Sequence, residues 1–245
     1  MKRLFAMLLA LVMVLSLAAC ANNDTTTTGK NDDTTAGKNE PSDVKVMSYA
    51  EYMAAELETE VVIEAYVQAH QDWWAGKVTV YAQDADGAYF IYEMACSEED
   101  AAKLVKGAKI RVTGVKKEWS GEIEIMEPTF EFVESEKWIA EAKDVTNLWG
   151  QEDLIKHQNQ FVSFKGMTIE AITYKNNEPG DDIYVTVSLN GVSHDFCVER
   201  YLTGPDTDVY QAFADLKKGD KVDIEGFLYW YENVNTHITG VKKAA

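Results

Sequence analysis

The chain is poor in cysteine, histidine and positive charge, and each shortage removes a class of function. Three cysteines in 245 residues exclude a dense disulfide scaffold, and no C-x-x-C pair exists for redox or zinc chemistry. The four histidines, His70, His157, His194 and His237, stand singly, and no two share a helix face at metal-ligand spacing. Lys and Arg number 23 against 41 Asp and Glu, a net charge of -18. That balance opposes a charge-driven partnership with nucleic acid or an anionic lipid surface, because both require clustered cations. The chain also lacks a G-x-S-x-G elbow, a phosphate-cradling glycine loop and an H-E-x-x-H helix. Carboxylate pairs are so abundant that no one pair points to glycoside hydrolysis. No catalytic residue, metal or cofactor is therefore expected, and the chain does not read as an enzyme.

The apolar content, 46%, is ample for packed cores, and at roughly 100–200 residues per domain the length allows one large or two small ones. Residues 1–19 combine Lys2 and Arg3 with an apolar stretch from Leu4 to Ala19, shorter than the roughly 20 residues of a spanning helix. This is a signal peptide. Its end, Leu17-Ala18-Ala19-Cys20, resembles the lipobox of bacterial lipoproteins, which implies lipidation (palmitate) of Cys20 and a membrane anchor on the extracytoplasmic face. Cleavage there removes two cations and no acid, taking the charge from -18 to -20. Stable anchoring takes two or more acyl chains. Residues 20–45 hold the lipidated cysteine and a Thr, Asn, Asp and Gly-rich segment too polar to bury a core, hence a flexible tether. The remaining thiols, Cys96 and Cys197, read as buried and free, with a bridge between them left open.

An internal repeat organises the rest. Lys106-Gly107-Ala108-Lys109-Ile110-Arg111-Val112-Thr113-Gly114 and Lys218-Gly219-Asp220-Lys221-Val222-Asp223-Ile224-Glu225-Gly226 share the form K-G-x-K-(I/V)-x-(V/I)-x-G. Alternating apolar residues between glycines predict a half-buried strand. Upstream of each copy lies a short helix, Ser97 to about Val105 and Asp208 to Leu216. Before each helix, Asp86-Gly87 and Asn190-Gly191 divide β-prone runs as type I′ hairpin tips. First strands are expected at Glu60 to Gln68 and Phe161 to Ile172, and last ones at Glu122 to Phe132 and Asn235 to Val241.

Five strands with a helix between the third and fourth is the order of the OB-fold, a Greek-key barrel that binds ligands across strands two and three and the adjoining loops. The expected fold is mainly β: two tandem five-stranded OB-fold-like Greek-key barrels, at 46–134 and 135–245. Two small β sandwiches are the rival topology. With the lipobox and tether, the chain resembles small extracytoplasmic OB-fold lipoproteins of Gram-positive bacteria, a resemblance that implies binding rather than chemistry.

The candidate ligand-binding residues follow from that fold. The loop between strands one and two, His70 to Lys77, carries Trp73 and Trp74, and Tyr81 alternates outward on strand two. The loop between strands four and five, Lys116 to Gly121, carries Lys116 and Trp119. Their counterparts in the second barrel are Trp230 and Tyr231. Such rings form a stacking platform for sugars, bases or aromatic side chains, unless they plug the barrel ends. The charges are -11 over residues 46–134 and -7 over 135–245, so neither barrel is a cationic funnel, although Lys77, Lys109, Arg111, Lys116 and Lys117 are candidates for a local basic face. Asp84-Ala85-Asp86-Gly87 with Glu93 partly matches a calcium loop, but Ala82 stands at its first ligand position and the flanks alternate as strands. The expected role is non-catalytic binding of a carbohydrate, peptide or protein. Single-stranded nucleic-acid binding and a purely structural envelope module are the alternatives.

Overall fold

The computed structural model describes residues 45–244, which lie within one compact unit. The expected signal peptide, Cys20 and all of the expected tether but Lys45 lie outside the described residues. The first element is a helix that the repeat did not announce, α1 (Tyr49–Ala54). Ser48 and Glu51 form a reciprocal capping box at its start, which satisfies two otherwise orphaned N–H groups.

Two closed barrels follow. The first comprises β1 (Glu60–His70), β2 (Lys77–Gln83), β3 (Ala88–Ala95), α2 (Glu98–Ala101), β4 (Lys109–Trp119) and β5 (Glu122–Val133), in the order β1-β2-β3-β5-β4 with β4 paired back to β1. A two-residue strand, β6 (Lys143–Asp144), and two 3-10 turns at Thr146–Leu148 and Glu152–His157 lead to the second. Its strands are β7 (Phe161–Tyr174), β8 (Ile183–Leu189), β9 (Val192–Val198), β10 (Lys221–Phe227) and β13 (His237–Lys243), with α3 (Asp208–Ala212) between β9 and β10. A short hairpin, β11 (Trp230–Tyr231) and β12 (Asn233–Val234), fills its last connection. The order β7-β8-β9-β13-β10, closed by β10 on β7, repeats the first barrel. Both are OB-folds, with the third and fifth strands parallel and each helix between the third and fourth. Closure rules out the sandwich topology.

The repeated glycines have matching structural jobs. Gly107 (φ 87°) and Gly219 (φ 91°) lie in the left-handed region that side chains disfavour. Their N–H groups donate to Val67 O at 2.7 Å and Ile169 O at 2.8 Å, where the first strand of each barrel bulges. Gly114 and Gly226 are needed for space instead: a Cβ would stand 2.6 Å from Ile125 Cγ2 in one case and 2.2 Å from His237 O in the other. Alternate residues fill the interiors, Val61, Ile63, Val80, Ile91 and Val112 in the first and Val162, Phe164, Val185, Phe196 and Ile224 in the second.

Hairpin chemistry departs from expectation in the first barrel. Asn190 (φ 52°) and Gly191 (φ 83°) make the type I′ pair, but Asp86-Gly87 does not. The Asp84 carboxylate instead accepts both their N–H groups at 2.8 Å, closing a wider loop. The type I′ turn is at Ser120 (φ 50°) and Gly121 (φ 91°), because β4 continues through Trp119 and leaves two residues for its connection to β5.

The barrels pack through an aromatic seam. Tyr81 and Phe90, on the outer face of β2 and β3, are buried with Phe227 and flanked by Phe161, Leu202 and Tyr229. The Tyr81 ring stacks on Phe227 at 4.6 Å. Polar bonds border the seam: Gln158 Nε2 donates to Gly121 O at 2.8 Å, Asn159 Nδ2 to Ile123 O at 3.1 Å and the Phe161 N–H to Gln83 Oε1 at 2.8 Å. The equivalent outer face of the second barrel stays open and polar. There Thr186 Oγ1 donates to Asp195 Oδ1 at 2.6 Å beside the exposed Tyr184.

Candidate functional site

Because the second barrel covers the middle of the β2–β3 face, the usual OB groove of the first barrel survives only at its end. A cleft of about 540 Å³ lies there, lined from the first barrel by Asp72, Trp74, Lys77, Thr79, Tyr92 and Glu93, and from the second by Arg200 and Tyr201. Local geometry presents the rings. Ala75 (φ 49°) and Gly76 (φ 84°) reverse the chain between the mutual backbone bonds of Trp74 and Lys77, leaving the Trp74 ring 78% exposed. Glu93 (φ 47°) and the bulge between Val78 and Val80 splay the strand ends, and Thr79 Oγ1 accepts the Glu93 N–H at 3.2 Å.

The opposite wall is fastened to the first barrel by the Asp72 N–H, which donates to Tyr201 O at 2.8 Å. The Arg200 guanidinium lies 5.0 Å over the Tyr201 ring, a cation–π arrangement that orders both. Beneath them Glu199 accepts the Leu202 N–H at 2.9 Å, and burial pushes its carboxyl up to about 7. Charge in the lining balances: Lys77 and Arg200 face Asp72 and Glu93, and Lys77 Nζ lies 2.7 Å from Glu93 Oε2.

The structure divides the sequence-predicted residues. Trp74 lines the cleft. Trp73 points away, its Nε1 donating to Cys96 O at 2.8 Å, as adjacent residues of an extended chain must. Tyr81 does face out of its barrel but is not a groove residue: the second barrel buries it, and its hydroxyl is hydrogen-bonded with His237 Nδ1 at 2.6 Å. Burial holds His237 neutral, down to about 4. Lys116 is likewise corrected. It lies within β4, buried, with Nζ donating to the carbonyls of Tyr52, Met53 and Ala55 at 2.8–3.0 Å, so it closes the C-terminal end of α1. Trp119 ends β4 and is 60% exposed, away from the cleft lining. Trp230 is half-buried against Gly121 and the second core, its N–H donating to Glu122 Oε2 at 2.8 Å. That contact makes it a joint between barrels rather than a ligand platform. Tyr231 beside it is exposed.

The basic face does not assemble. Lys109 and Arg111 both pair with Glu64, Lys117 with Glu58 and Lys77 with Glu93. Cys96 and Cys197 are buried, free thiols; burial raises both above the usual thiol range, which makes them unreactive. Arg200 and Tyr201 escaped sequence reasoning altogether. They come from the other barrel, and no local pattern reports such a contact.

These features define a tandem OB-fold protein with an aromatic, charge-balanced cleft at its inter-barrel seam. No family model matches the sequence, and no curated protein matches it. Among solved structures, the chain is similar to a murine DNA binding protein bound with double-stranded DNA (14% identity, 75% of this chain and 96% of that one, TM-score 0.36). It is also similar to the Ifi202 HINa domain in complex with 20bp dsDNA (12% identity, 77% and 98%, TM-score 0.34) and to a Replication Protein A heterotrimer bound to ssDNA (11% identity, 74% and 49%, TM-score 0.28). Superpositions at this level leave the OB topology to rest on the strand pairings described above.

Proposed function

We propose that this is a lipid-anchored extracytoplasmic lipoprotein, similar to those of Gram-positive envelopes, that binds a neutral carbohydrate without transforming it. The observation that carries the reading is the lining of the cleft. Three exposed rings, Trp74, Tyr92 and Tyr201, offer flat apolar faces, and two cations against two carboxylates leave no net local charge. A sugar ring suits such a site: its C–H faces stack on aromatic rings while its hydroxyls pair with Asp72, Glu93, Thr79 and Arg200. A polyanion gains nothing from balanced charges on a chain at -18. The lipobox at Leu17 to Cys20 supports the location, and the tether would hold the barrels clear of the bilayer.

A glycan and oligonucleotide array probed with the full chain tests the reading. Glycan affinity should barely change with salt, and Trp74→Ala should weaken it about tenfold, or about 1.4 kcal/mol, with the melting temperature unchanged because the ring is in solvent. Oligonucleotide binding that falls steeply between low and moderate salt refutes it in favour of a single-strand binder.

A further inference from the structure

We infer that the carbohydrate is a chain of repeating units, and that Trp119 and Tyr231 form a second stacking station for the units that extend beyond the cleft. This rests on the carbohydrate reading of the cleft and specifies its ligand.

Strand register places Trp119 on the face that carries Tyr92. Paired residues point the same way across a sheet, so the pairs Phe90–Glu124, Lys117–Glu124 and Trp119–Glu122 put Trp119 on the outer face that carries Phe90. Tyr92, two residues along β3, shares that face, with its ring 6.3 Å from Phe90. From Tyr92 to Trp119 is four residues along β5 and two strands across, roughly 16 Å by standard strand spacings. A single sugar ring does not cover that distance, whereas a short oligosaccharide does.

The second station is also rigid. The turn at Ser120-Gly121 lies against the Trp230 ring, and the Glu232 N–H donates to Ser120 O at 2.6 Å, locking the hairpin tips of the two barrels together. Trp119 and Tyr231 project from this joint 60% and 51% exposed, and among the described residues no aromatic ring or cation packs on either. A fixed backbone beneath the rings limits the freedom they lose when a ligand stacks on them. The neighbouring exposed carboxylates, Glu118 and Glu232, are hydroxyl acceptors that repel a polyanion, and the nearby Lys117 is paired with Glu58. A neutral glycan is therefore the occupant that fits both stations.

Calorimetry with chito- and cello-oligosaccharides of two to six units separates the possibilities, using the full chain and its Trp74→Ala, Trp119→Ala and Tyr231→Ala variants. Affinity should rise about tenfold from the shortest to the longest member of the bound series. Trp119→Ala and Tyr231→Ala should remove that rise while leaving disaccharide affinity and melting temperature unchanged, and Trp74→Ala should weaken every length. Wild-type affinity that ignores length, or a hexasaccharide bound equally by wild type and Trp119→Ala, overturns the second station and leaves the cleft intact. Binding of neither series overturns the carbohydrate reading and this inference with it.

Discussion

Glu199→Gln tests whether the wall of the cleft is held by a buried, titrating carboxyl. In the folded chain burial pushes Glu199 up to about 7, against an ordinary value of 4.5. Below pH 4.5 the group is protonated folded or unfolded and contributes nothing to pH dependence. Between 4.5 and 7 the unfolded chain releases the proton while the folded chain keeps it. The native state therefore binds more protons, and stability falls as pH rises, by about 1.4 kcal/mol per unit. Above 7 the loss is constant at about 3 kcal/mol. His237 works in the other direction: burial lowers it from 6.5 to about 4, so stability is lost as pH falls through that interval. Across pH 4.5–6.5 the two slopes oppose each other and the wild-type profile flattens. Glutamine keeps an acceptor for the Leu202 N–H but does not titrate, so the variant should gain about 3 kcal/mol on wild type between pH 4.5 and 7.5. For a protein of this size that is about 6–12 °C in melting temperature. Melting curves by circular dichroism across the range measure it, and parallel profiles for the two proteins would refute the burial argument.

Two further substitutions probe the scaffold. Gly226→Ala places a methyl group 2.2 Å from His237 O, a backbone atom that cannot rotate away, and should destabilise by about 1–3 kcal/mol or more, read by chemical denaturation. Lys116→Met keeps the buried stem but removes the bonds to the carbonyls that end α1. It should cost about 1–3 kcal/mol and speed amide exchange in residues 49–57, whereas unchanged exchange there would return Lys116 to the list of ligand candidates.

The barrels were legible because their signals are local. Two K-G-x-K copies, period-two alternation in runs such as Lys77–Gln83 and the Asn190-Gly191 turn each report on a few neighbouring residues, and together they specify strand order. Alternation places Tyr81 outside its barrel, yet it is blind to what covers an outer face, and Phe227 lies 146 positions further on. Lys116 differs for another reason: a polar residue near a glycine resembles a loop, while the strand runs on to Trp119 and the ammonium finds its partners on a helix with no repeat counterpart. Of the cleft, the first-barrel wall is legible: the first loop with Asp72, Trp74 and Lys77, and Tyr92 on the third strand. Arg200 and Tyr201 depend on how two folded bodies meet.

The seam joins unlike surfaces, the outer β2–β3 face of one copy and the Phe227–Tyr231 end of the other. A head-to-tail contact of this kind has no intrinsic stop, and if every copy offered both surfaces, molecules would add to one another as an open filament. Thr186, Ser188 and Asp195 stand where the second copy would need an apolar face to continue the series. The polar side chains of that one hairpin confine the association to a single pair within the chain, so the fold carries its own stop against open-ended stacking.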